Sequence, residues 1–489
     1  MRRIAGLSNK KPLKKPAARV RKAPPKRARR AARKRPAQVY CSDLLGRLFR
    51  GYRPEEIKIQ GDRYPAHMRA NLQPVIEELL MANADQCVGA IPRYSSQNLE
   101  LSELMSNARD DRIAVGPISR VAVDTGEDEP VRCVRNALIL KSTPMPHAIF
   151  IFVRTDSGGD DRYIDVDIAV PRDHPGSEAF ADQCFAPLEE AIEQCRAYRG
   201  KVLSLEKQQH YSGRVGGIQV HRLKPVQASE VILPAPTRAL LDRCVLDFMK
   251  ARGQLRSLGF QTKRGILLYG PPGTGKTHTI RYLASNLAGT TTFLVTAEQV
   301  GLLPHYMSLA RLLQPSMVVI EDVDLIARSR DRMRSGCDES LLNSLLNEMD
   351  GLKENSDVLF ILTTNRPQDL EAALANRPGR IDQAIEVPVP DAPSRDKLVR
   401  LYGNGLKLGD ALVAEVVKRT EGVSAAFIKE LMRRTAQAAI ARAGAKKVTE
   451  PSPAREGVQP TATDLGEALD DMLFSGGALN VKLLGGAAA

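Results

Sequence analysis

Residues 266–277, ILLYGPPGTGKT, join a short hydrophobic run to a glycine-rich loop, and this stretch decides the fold of the larger part of the chain. A short apolar run bounded by a loop is typical of a strand that is buried on both faces of a parallel sheet. The loop matches the pattern G-x-x-x-x-G-K-[ST], and the residues after it place Ile280, Leu283 and Leu287 on one face of a helix. The stretch therefore predicts a strand, a loop and a helix of an α/β domain.

Residues 270–277 have the composition of a phosphate-binding loop. Glycines allow backbone N–H groups to turn towards phosphate oxygens, and the helix that follows adds the positive end of its dipole. In this pattern Lys276 reaches the β- and γ-phosphates, and the hydroxyl of Thr277 ligates Mg²⁺. We therefore predict a nucleotide site that includes these residues: Gly270, Pro271, Pro272, Gly273, Thr274, Gly275, Lys276, Thr277 and His278.

Four more hydrophobic runs follow the loop, with room for helices between them: residues 293–295, 317–320, 358–362 and 385–387. Most are continuously apolar, as strands covered on both faces are. We therefore predict a doubly wound α/β domain over residues 231–390, with a parallel sheet of about five strands. Helical patterns alone predict a small helical lid over residues 391–476, and the Gly- and Ala-rich residues 477–489 predict a flexible tail.

Polar side chains stand at the ends of the third and fourth runs of this domain. Glu321 and Asp322 follow residues 317–320, and Asn365 follows the fourth run after two threonines. The carboxyl ends of parallel strands meet at one edge of the sheet, where the phosphate-binding loop also lies. At that edge carboxylates can hold Mg²⁺ and activate water, and an amide can position the attacking water. We therefore add Glu321, Asp322 and Asn365 to the predicted site.

The preceding segment, residues 39–230, predicts an α+β domain to which the sequence assigns no chemistry. Residues 66–84 and 177–198 have the periodicity of helices, and residues 131–140, 147–153 and 161–170 that of strands. Four acids, Asp160, Asp161, Asp165 and Asp167, cluster at the last strand. Because the strand alternates, we place two of them on its solvent-facing side rather than in a metal site.

The formal charge of +14 is concentrated at one end of the 489 residues. Residues 1–37 hold sixteen Lys and Arg and no acid, which leaves 55 basic and 57 acidic groups in the rest of the chain. This distribution argues against a basic nucleic-acid-binding fold. Proline content and self-repulsion predict that residues 1–38 form a disordered arm, which either binds nucleic acid or another polyanion or serves as a solubilising or targeting extension.

Seven scattered cysteines without Cys-x-x-Cys spacing predict reduced thiols and a cytoplasmic protein, associated with the nucleoid if the arm binds DNA. The seven histidines form no His-Glu-x-x-His motif, so the sequence predicts no structural zinc site. The longest apolar runs are far too short for a spanning helix, so no membrane span is expected.

Taken in order, the motifs make residues 231–475 resemble the AAA-type ATPases (ATPases associated with diverse cellular activities) of the P-loop NTPase superfamily. The resemblance extends to residues 341–351, LLNSLLNEMDG, residues 364–367, TNRP, and residues 375–382, ANRPGRID. It implies an ATP- and Mg²⁺-dependent ATPase that forms a ring, expected to be a hexamer. It also implies that Asn365 is the sensor-1 residue and that Arg377 and Arg380 are arginine fingers for a neighbouring subunit. Residues 422–427, GVSAAF, are similar to the lid segment bordering the adenine, which adds Ser424 and Ala425.

Two features depart from the family pattern. The acids after the third strand run Glu-Asp instead of Asp-Glu, so in register Glu321 takes the Mg²⁺-water role and Asp322 the water-activating role. The segment between the second and third strands is short and has no aromatic–aliphatic–Gly pore loop. Residues 300–303 and 305–307 are the nearest candidates, and each is equally interpretable as a capping turn with core Leu and Met.

Three functions are compatible with these patterns. The leading one is an oligomeric ring ATPase that remodels or disassembles a protein or protein complex, with residues 39–230 selecting an unknown client. The alternative is an ATPase that the basic arm tethers to nucleic acid, or that nucleic acid stimulates. The third is a nucleotide-gated adaptor that binds ATP but barely hydrolyses it, which the exchanged acids would favour.

Overall fold

The computed structural model describes residues 38–94, 97–108, 110–155, 161–207, 215–328, 345, 347–349, 356–368, 370, 380–442 and 458–472. The basic arm, the tail after Met472 and most of residues 341–351 lie outside this range. The chain divides into the unit Met1–Val39 and the unit Tyr40–Ala489, and the following paragraphs concern the second unit.

The first half of this unit is built on an antiparallel sheet in the order β1-β7-β6-β5-β2-β3, with β4 paired to β5. Its strands are β1 (Ile57–Pro65), β2 (Gln86–Ile91), β3 (Ala114–Gly116), β4 (Ser119–Val123), β5 (Val131–Lys141), β6 (His147–Thr155) and β7 (Asp161–Pro171). Its helices are α1 (Cys41–Leu48), α2 (Arg69–Val75), which continues into a π-helical turn (Ile76–Met81), α3 (Leu101–Leu104) and α4 (Ser177–Gln194). The predicted α+β character is therefore confirmed.

Helices cover both faces of this sheet. One face buries Ile149, Ile151 and Val166 together with Leu72 and Leu188 of α2 and α4. The other buries residues of α1 and α3 against the opposite side chains of the same strands: Leu45, Leu101, Leu104, Leu138, Phe150 and Phe152. Because both faces are covered, these strands carry apolar side chains on both sides.

The placement of the acids of β7 on a solvent-facing side is wrong, because α3 covers that side. Asp165 is buried and accepts hydrogen bonds from Nε of Arg63 at 2.9 Å and Nε of Arg154 at 2.6 Å. Asp167 accepts the backbone N–H of Leu101 at 3.2 Å, and burial raises its pKa. Asp160 and the side chain of Asp161 lie outside the described residues. Asp165 and Asp167 thus fasten strands and helix together.

The second sheet has seven strands in the order β14-β10-β13-β12-β11-β8-β9. They are β8 (Val202–Lys207), β9 (Val215–Val220), β10 (Arg264–Tyr269), β11 (Thr291–Val295), β12 (Ser316–Ile320), β13 (Val358–Thr364) and β14 (Gln383–Glu386). The last five are parallel and correspond to the five predicted runs. The other two form an antiparallel hairpin whose strand β8 lies parallel to β11.

Helices lie on both faces of this sheet, as the predicted doubly wound α/β fold requires. They are α5 (Ala235–Leu241), α6 (Phe248–Ser257), α7 (Lys276–Asn286), α8 (Leu303–Leu312) and α9 (Val323–Arg328). Residues of α7 pack with Ile266 and Val319 on one face, and residues of α8 pack with Val318 and Phe360 on the other. Neighbouring positions of one strand thus enter opposite cores, which explains the continuous apolar runs.

The predicted lid consists of helices in the part that the structure describes. They are α10 (Ala392–Tyr402), α11 (Asp410–Arg419), α12 (Ala425–Arg442) and α13 (Ala462–Asp470). Their common core contains Leu398, Val416, Phe427, Leu431 and Leu465. Across the described residues of the whole chain, no helix has the length and apolarity to cross a bilayer.

The hairpin β8–β9 extends the sheet upstream of the boundary predicted at residues 230 and 231. Strand β8 pairs with β11 through Val202 and Leu203. Beyond these two residues, side chains in and just before α8 form the hydrogen bonds to the β8 backbone. The backbone N–H of Leu205 donates to the hydroxyl of Tyr306 at 2.8 Å, and Nε2 of Gln299 donates to the Leu205 carbonyl at 2.9 Å. A division near residue 200 therefore describes the sheets better, and we propose it in place of the earlier one.

The same packing removes the two candidates for a pore loop. Val300, Leu302, Leu303, Tyr306 and Met307 are each at most 2% exposed and belong to one core cluster with strands β11 and β12. Side chains held in this way cannot grip a passing polypeptide. Of the two interpretations offered by the sequence, the capping turn with core side chains is the one that the structure supports.

Candidate nucleotide-binding site

The glycine-rich loop connects β10 to α7 in the predicted strand–loop–helix order. Gly270, Gly273 and Gly275 have φ angles of 148°, 76° and 106°, which residues with a side chain rarely adopt. A Cβ on Gly270 would also lie 2.2 Å from the carbonyl oxygen of Val387, which follows β14. The glycines therefore allow a loop geometry and a close approach that other residues would prevent.

Lys276 is a buried cation at the end of this loop, where α7 begins. It is 7% exposed, and its Nζ donates to the carbonyl oxygens of Gly270 at 2.8 Å and Pro271 at 2.9 Å. Burial lowers its pKa, while the carboxylates of Asp322 and Asp324 act in the opposite direction. The ammonium group is thus held inside the loop, and the two acids that follow β12 are close enough to interact with it.

The rest of the loop leaves its outer side accessible. Thr274 is buried and donates its hydroxyl to the Pro271 carbonyl at 3.0 Å, whereas Pro272, Thr277 and His278 are exposed. Ring nitrogen Nε2 of His278 lies 3.2 Å from the carbonyl oxygen of Glu230. The structure therefore keeps the predicted loop residues together and ties the start of α7 to the segment before α5.

Two predicted residues from different strands meet at the carboxyl edge of the sheet. Asn365 donates from Nδ2 to Oδ1 of Asp322 at 3.0 Å, across 43 positions of sequence. Asp322 has a φ of 52°, and its backbone N–H donates to the hydroxyl of Thr363 at 3.0 Å. A positive φ at a residue with a side chain is strained, and such strain clusters at functional sites.

Glu321 supplies the observation that tests whether this edge fits a metal ion. Its Oε1 is buried and has no hydrogen-bond partner within the described part of the chain. A buried carboxylate oxygen in that state is costly unless a cation or a cation-bound water satisfies it. No group of three or more ligating side chains stands together among the described residues. The arrangement therefore fits Mg²⁺, which takes few protein ligands and completes its shell with phosphate and water.

Sequence reasoning missed Asp324 and Thr364, which lie immediately beside the predicted residues. Asp324 is 4% exposed, and its Oδ1 accepts the Thr364 hydroxyl at 2.9 Å and the backbone N–H of Asn365 at 3.2 Å. The signal was present in the sequence as a second acid two residues after Asp322 and a threonine before Asn365. Their pairing is not encoded in the spacing, because only the fold brings the Asp324 carboxylate against the Thr364 hydroxyl.

The two predicted arginines are described to different extents. Arg377 lies outside the described residues. Arg380 is half-buried, and its carbonyl oxygen would lie 2.0 Å from a Cβ placed on Gly265. Close contact between these backbones fixes the turn before β14 against the first residues of β10.

The lid reaches the loop through the start of α12. The backbone N–H of Ala426 donates to the carbonyl oxygen of Gly273 at 3.0 Å, and Ser424 accepts the N–H of Phe427 at 3.2 Å. Ser424 is fully buried, and Ala425 is 9% exposed. The structure thus brings Ser424 and Ala425 next to Gly273, where the sequence had expected a nucleotide border.

Comparisons with known proteins agree with this geometry. The family model described as ATPase family associated with various cellular activities (AAA) matches residues 266–389. ATP-dependent zinc metalloprotease FtsH 2 of Symbiobacterium thermophilum is 32% identical over 254 residues, which are 49% of this chain and 41% of that protein. Proteasome-activating nucleotidase of Methanocaldococcus jannaschii is 29% identical over 279 residues, 54% of this chain and 61% of that protein.

A third relative, ATP-dependent zinc metalloprotease FtsH of Mycoplasmopsis synoviae, is 37% identical over 201 residues, 38% of this chain and 30% of that protein. The chain thus matches less than two thirds of the length of each of these relatives. The matched family region contains the glycine-rich loop, the two acids after β12 and Asn365, in the order and on the strands described above. Residues 266–389 therefore form a domain of the AAA ATPase family, built around the phosphate-binding loop.

Proposed function

We propose that the protein hydrolyses ATP in the presence of Mg²⁺ at the edge formed by the glycine-rich loop, Asp322 and Asn365. The observation that carries the proposal is the 3.0 Å hydrogen bond from Asn365 to Asp322, beside a buried lysine at the end of the loop. A carboxylate and an amide that share one side of a phosphate site are the pair needed to hold and deprotonate an attacking water.

Each residue then has one task. The loop N–H groups and Lys276 bind the β- and γ-phosphates, and Asp322 accepts the proton of the attacking water that Asn365 orients. Thr277 and Glu321 would hold Mg²⁺, Glu321 through a bound water. When bound, the ion neutralises charge that develops on the phosphate oxygens. Ser424, Ala425 and His278 border the nucleotide on the lid and loop sides.

Hydrolysis is tested by phosphate release from ATP with the full chain, with and without Mg²⁺. Asp322→Asn keeps an oxygen that can accept from Asn365 but removes the base, so we expect turnover about 10²–10⁴-fold slower with ATP binding retained. Lys276→Ala should lose both binding and turnover. Lys250→Ala removes an exposed lysine of α6 and serves as the control. Normal turnover by Asp322→Asn would exclude Asp322 as the base.

We further propose that the protein acts as a ring, in which Arg377 and Arg380 complete the site of the next subunit. Subunits carrying Arg377→Ala and subunits carrying Asp322→Asn should each be inactive. Mixed together, they should regain part of the activity, because some sites then combine an intact arginine with an intact base. Absence of recovery in mixed particles whose co-assembly is verified would contradict a shared site. Sedimentation with ATP measures whether the ring has the six subunits expected.

The chemistry of a ring ATPase is compatible with remodelling of a protein client, which we propose as the function of the whole molecule. Similarity to a proteasome-activating nucleotidase over 54% of the chain supports a protein as the client. Asp322→Asn should trap the ATP-bound state, so its recovered partners report the client class. Zinc protease activity is not proposed, because the sequence contains no His-Glu-x-x-His motif. The nucleic-acid alternative stays a prediction from residues 1–38, which lie almost wholly outside the described range.

A further inference from the structure

Asp324 belongs to α9, yet its carboxylate is bonded to strand β13. Oδ1 accepts the hydroxyl proton of Thr364 at 2.9 Å and the backbone N–H of Asn365 at 3.2 Å. The hydroxyl oxygen of Thr364 in turn accepts the backbone N–H of Arg366 at 2.9 Å. One buried oxygen therefore organises three consecutive residues at the end of the strand.

This network determines where the Asn365 amide can lie. The side chain of Asn365 donates to Asp322, and its backbone is held by Asp324, so the residue is fixed at both ends. A second link joins the same two segments, because the N–H of Asp322 donates to the hydroxyl of Thr363 at 3.0 Å. Asp322 is thereby anchored to β13, and Asn365 is anchored to α9.

Burial makes this acid costly unless it has a specific task. Asp324 is 4% exposed, and a carboxylate removed from water needs hydrogen bonds and a nearby positive charge. The two donors of β13 supply the first requirement, and Lys276 is close enough for the two charges to interact. The donors come from β13 and not from the first turn of α9, so the group does more than cap its own helix.

We propose that Asp324 is a positioning residue, which acts through Thr364 and the backbone of Asn365 to hold the Asn365 amide against Asp322. The proposal rests on the proposed hydrolysis of ATP. It assigns Asp324 no contact with the nucleotide. Loss of its carboxylate leaves the loop and Lys276 in place but lets the Asn365 amide shift, and a displacement of about 1 Å in such a group costs about 10²-fold in rate.

The test measures kcat for ATP and the dissociation constant of a fluorescent ATP analogue in the full chain. Asp324→Ala and Thr364→Val should lower kcat about 100-fold and leave the dissociation constant within about 3-fold of wild type. Asp324→Asn and Thr364→Ser keep an acceptor and a hydroxyl, so they should recover most of the lost rate. Thr292→Val is the matched control: this β11 threonine is 1% exposed, and its hydroxyl has no partner in the described residues.

A double-mutant cycle separates positioning from general damage to the fold. If Asp324 acts through Asn365, adding Asp324→Ala to Asn365→Ala should change kcat by less than about 2-fold. An equal loss in both backgrounds, or normal turnover by Thr364→Val, would overturn the proposal while leaving ATP hydrolysis intact. A parallel loss of nucleotide binding would assign Asp324 to the stability of the fold. Absence of turnover in the wild-type chain would refute the proposed hydrolysis, and the positioning role with it.

Discussion

The hydroxyl of Tyr306 connects the added hairpin to the AAA sheet, and Tyr306→Phe tests that connection. The ring is fully buried, and the hydroxyl accepts the N–H of Leu205 at 2.8 Å. Its own proton faces two acceptors, the Leu294 carbonyl at 3.2 Å and Oε1 of Gln299 at 3.1 Å. Burial raises the pKa of Tyr306 to about 12, so the group stays protonated at neutral pH.

Removing this oxygen changes neither ring size nor apolar packing, so the cost comes from the polar groups left without it, chiefly the N–H of Leu205. Leu205 is 1% exposed, and water cannot replace the lost acceptor without opening the hairpin. An unsatisfied buried donor costs about 1–3 kcal/mol. The free energy for local opening of β8 should fall by that amount, which corresponds to amide exchange about 5- to 150-fold faster in residues 202–207.

Hydrogen–deuterium exchange with mass spectrometry measures the local opening of β8 directly, without assuming that the whole chain unfolds in one step. Tyr64→Phe is the matched control, because Tyr64 is 5% exposed and its hydroxyl has no partner within the described residues. Exchange in peptides of β5 and β6 should be unchanged in both variants. If residues 202–207 exchange at the wild-type rate in Tyr306→Phe, the hydroxyl does not hold β8, and the packing of the hairpin must account for the junction alone.

Two further predictions concern the lid. Gly273→Ala places a Cβ 2.9 Å from Cβ of Ala426 and 3.0 Å from Oγ of Ser424, so the amides of residues 424–428 should exchange faster. The control Gly275→Ala is strained by its φ of 106° but meets no atom within 4 Å, so amide exchange in the lid should be unchanged. The hydrogen bond from Arg442 holds the pKa of Asp464 at about 2, below the value of about 4 in an unfolded chain. The ionised Asp464 therefore contributes fully to the stability of the fold above pH about 4, and this stabilisation is lost as pH falls towards 2. Arg442→Ala should therefore destabilise α13 at neutral pH and flatten that acid dependence, measured by hydrogen–deuterium exchange in residues 458–472.

The glycine-rich loop and the five parallel strands could be predicted because their signals are local. A loop that needs positive φ at Gly270, Gly273 and Gly275 must carry glycine there, and strands covered on both faces must be apolar at every position. The acids after β12 were recognisable for a similar reason, since the end of a parallel strand has a fixed relation to the loop. Residues 266–389 could thus be assigned an architecture and a site from short patterns.

The hairpin β8–β9 could not be predicted in this way. Residues 202–207 have the pattern of an ordinary strand, and nothing within them distinguishes a place in the first sheet from a place beside β11. That choice depends on Tyr306 and Gln299, about one hundred residues away, whose side chains take over the backbone bonds of Leu205. The prediction that acids of β7 face solvent was wrong for the same reason. Only tertiary packing brings α3 over that side of the strand, where Leu101 donates to Asp167.

Short-range patterns in the chain thus specify a strand, a phosphate-type loop and a set of polar groups at the sheet edge, because backbone geometry and burial restrict which residues can stand there. Long-range packing specifies how those groups meet. The bond from Asn365 to Asp322 spans 43 positions, and Asp324 holds it from a third element. Such contacts depend on how the ends of β12, β13 and α9 are brought together, since hydrogen bonds require atoms within about 3 Å and no spacing along the sequence encodes that distance.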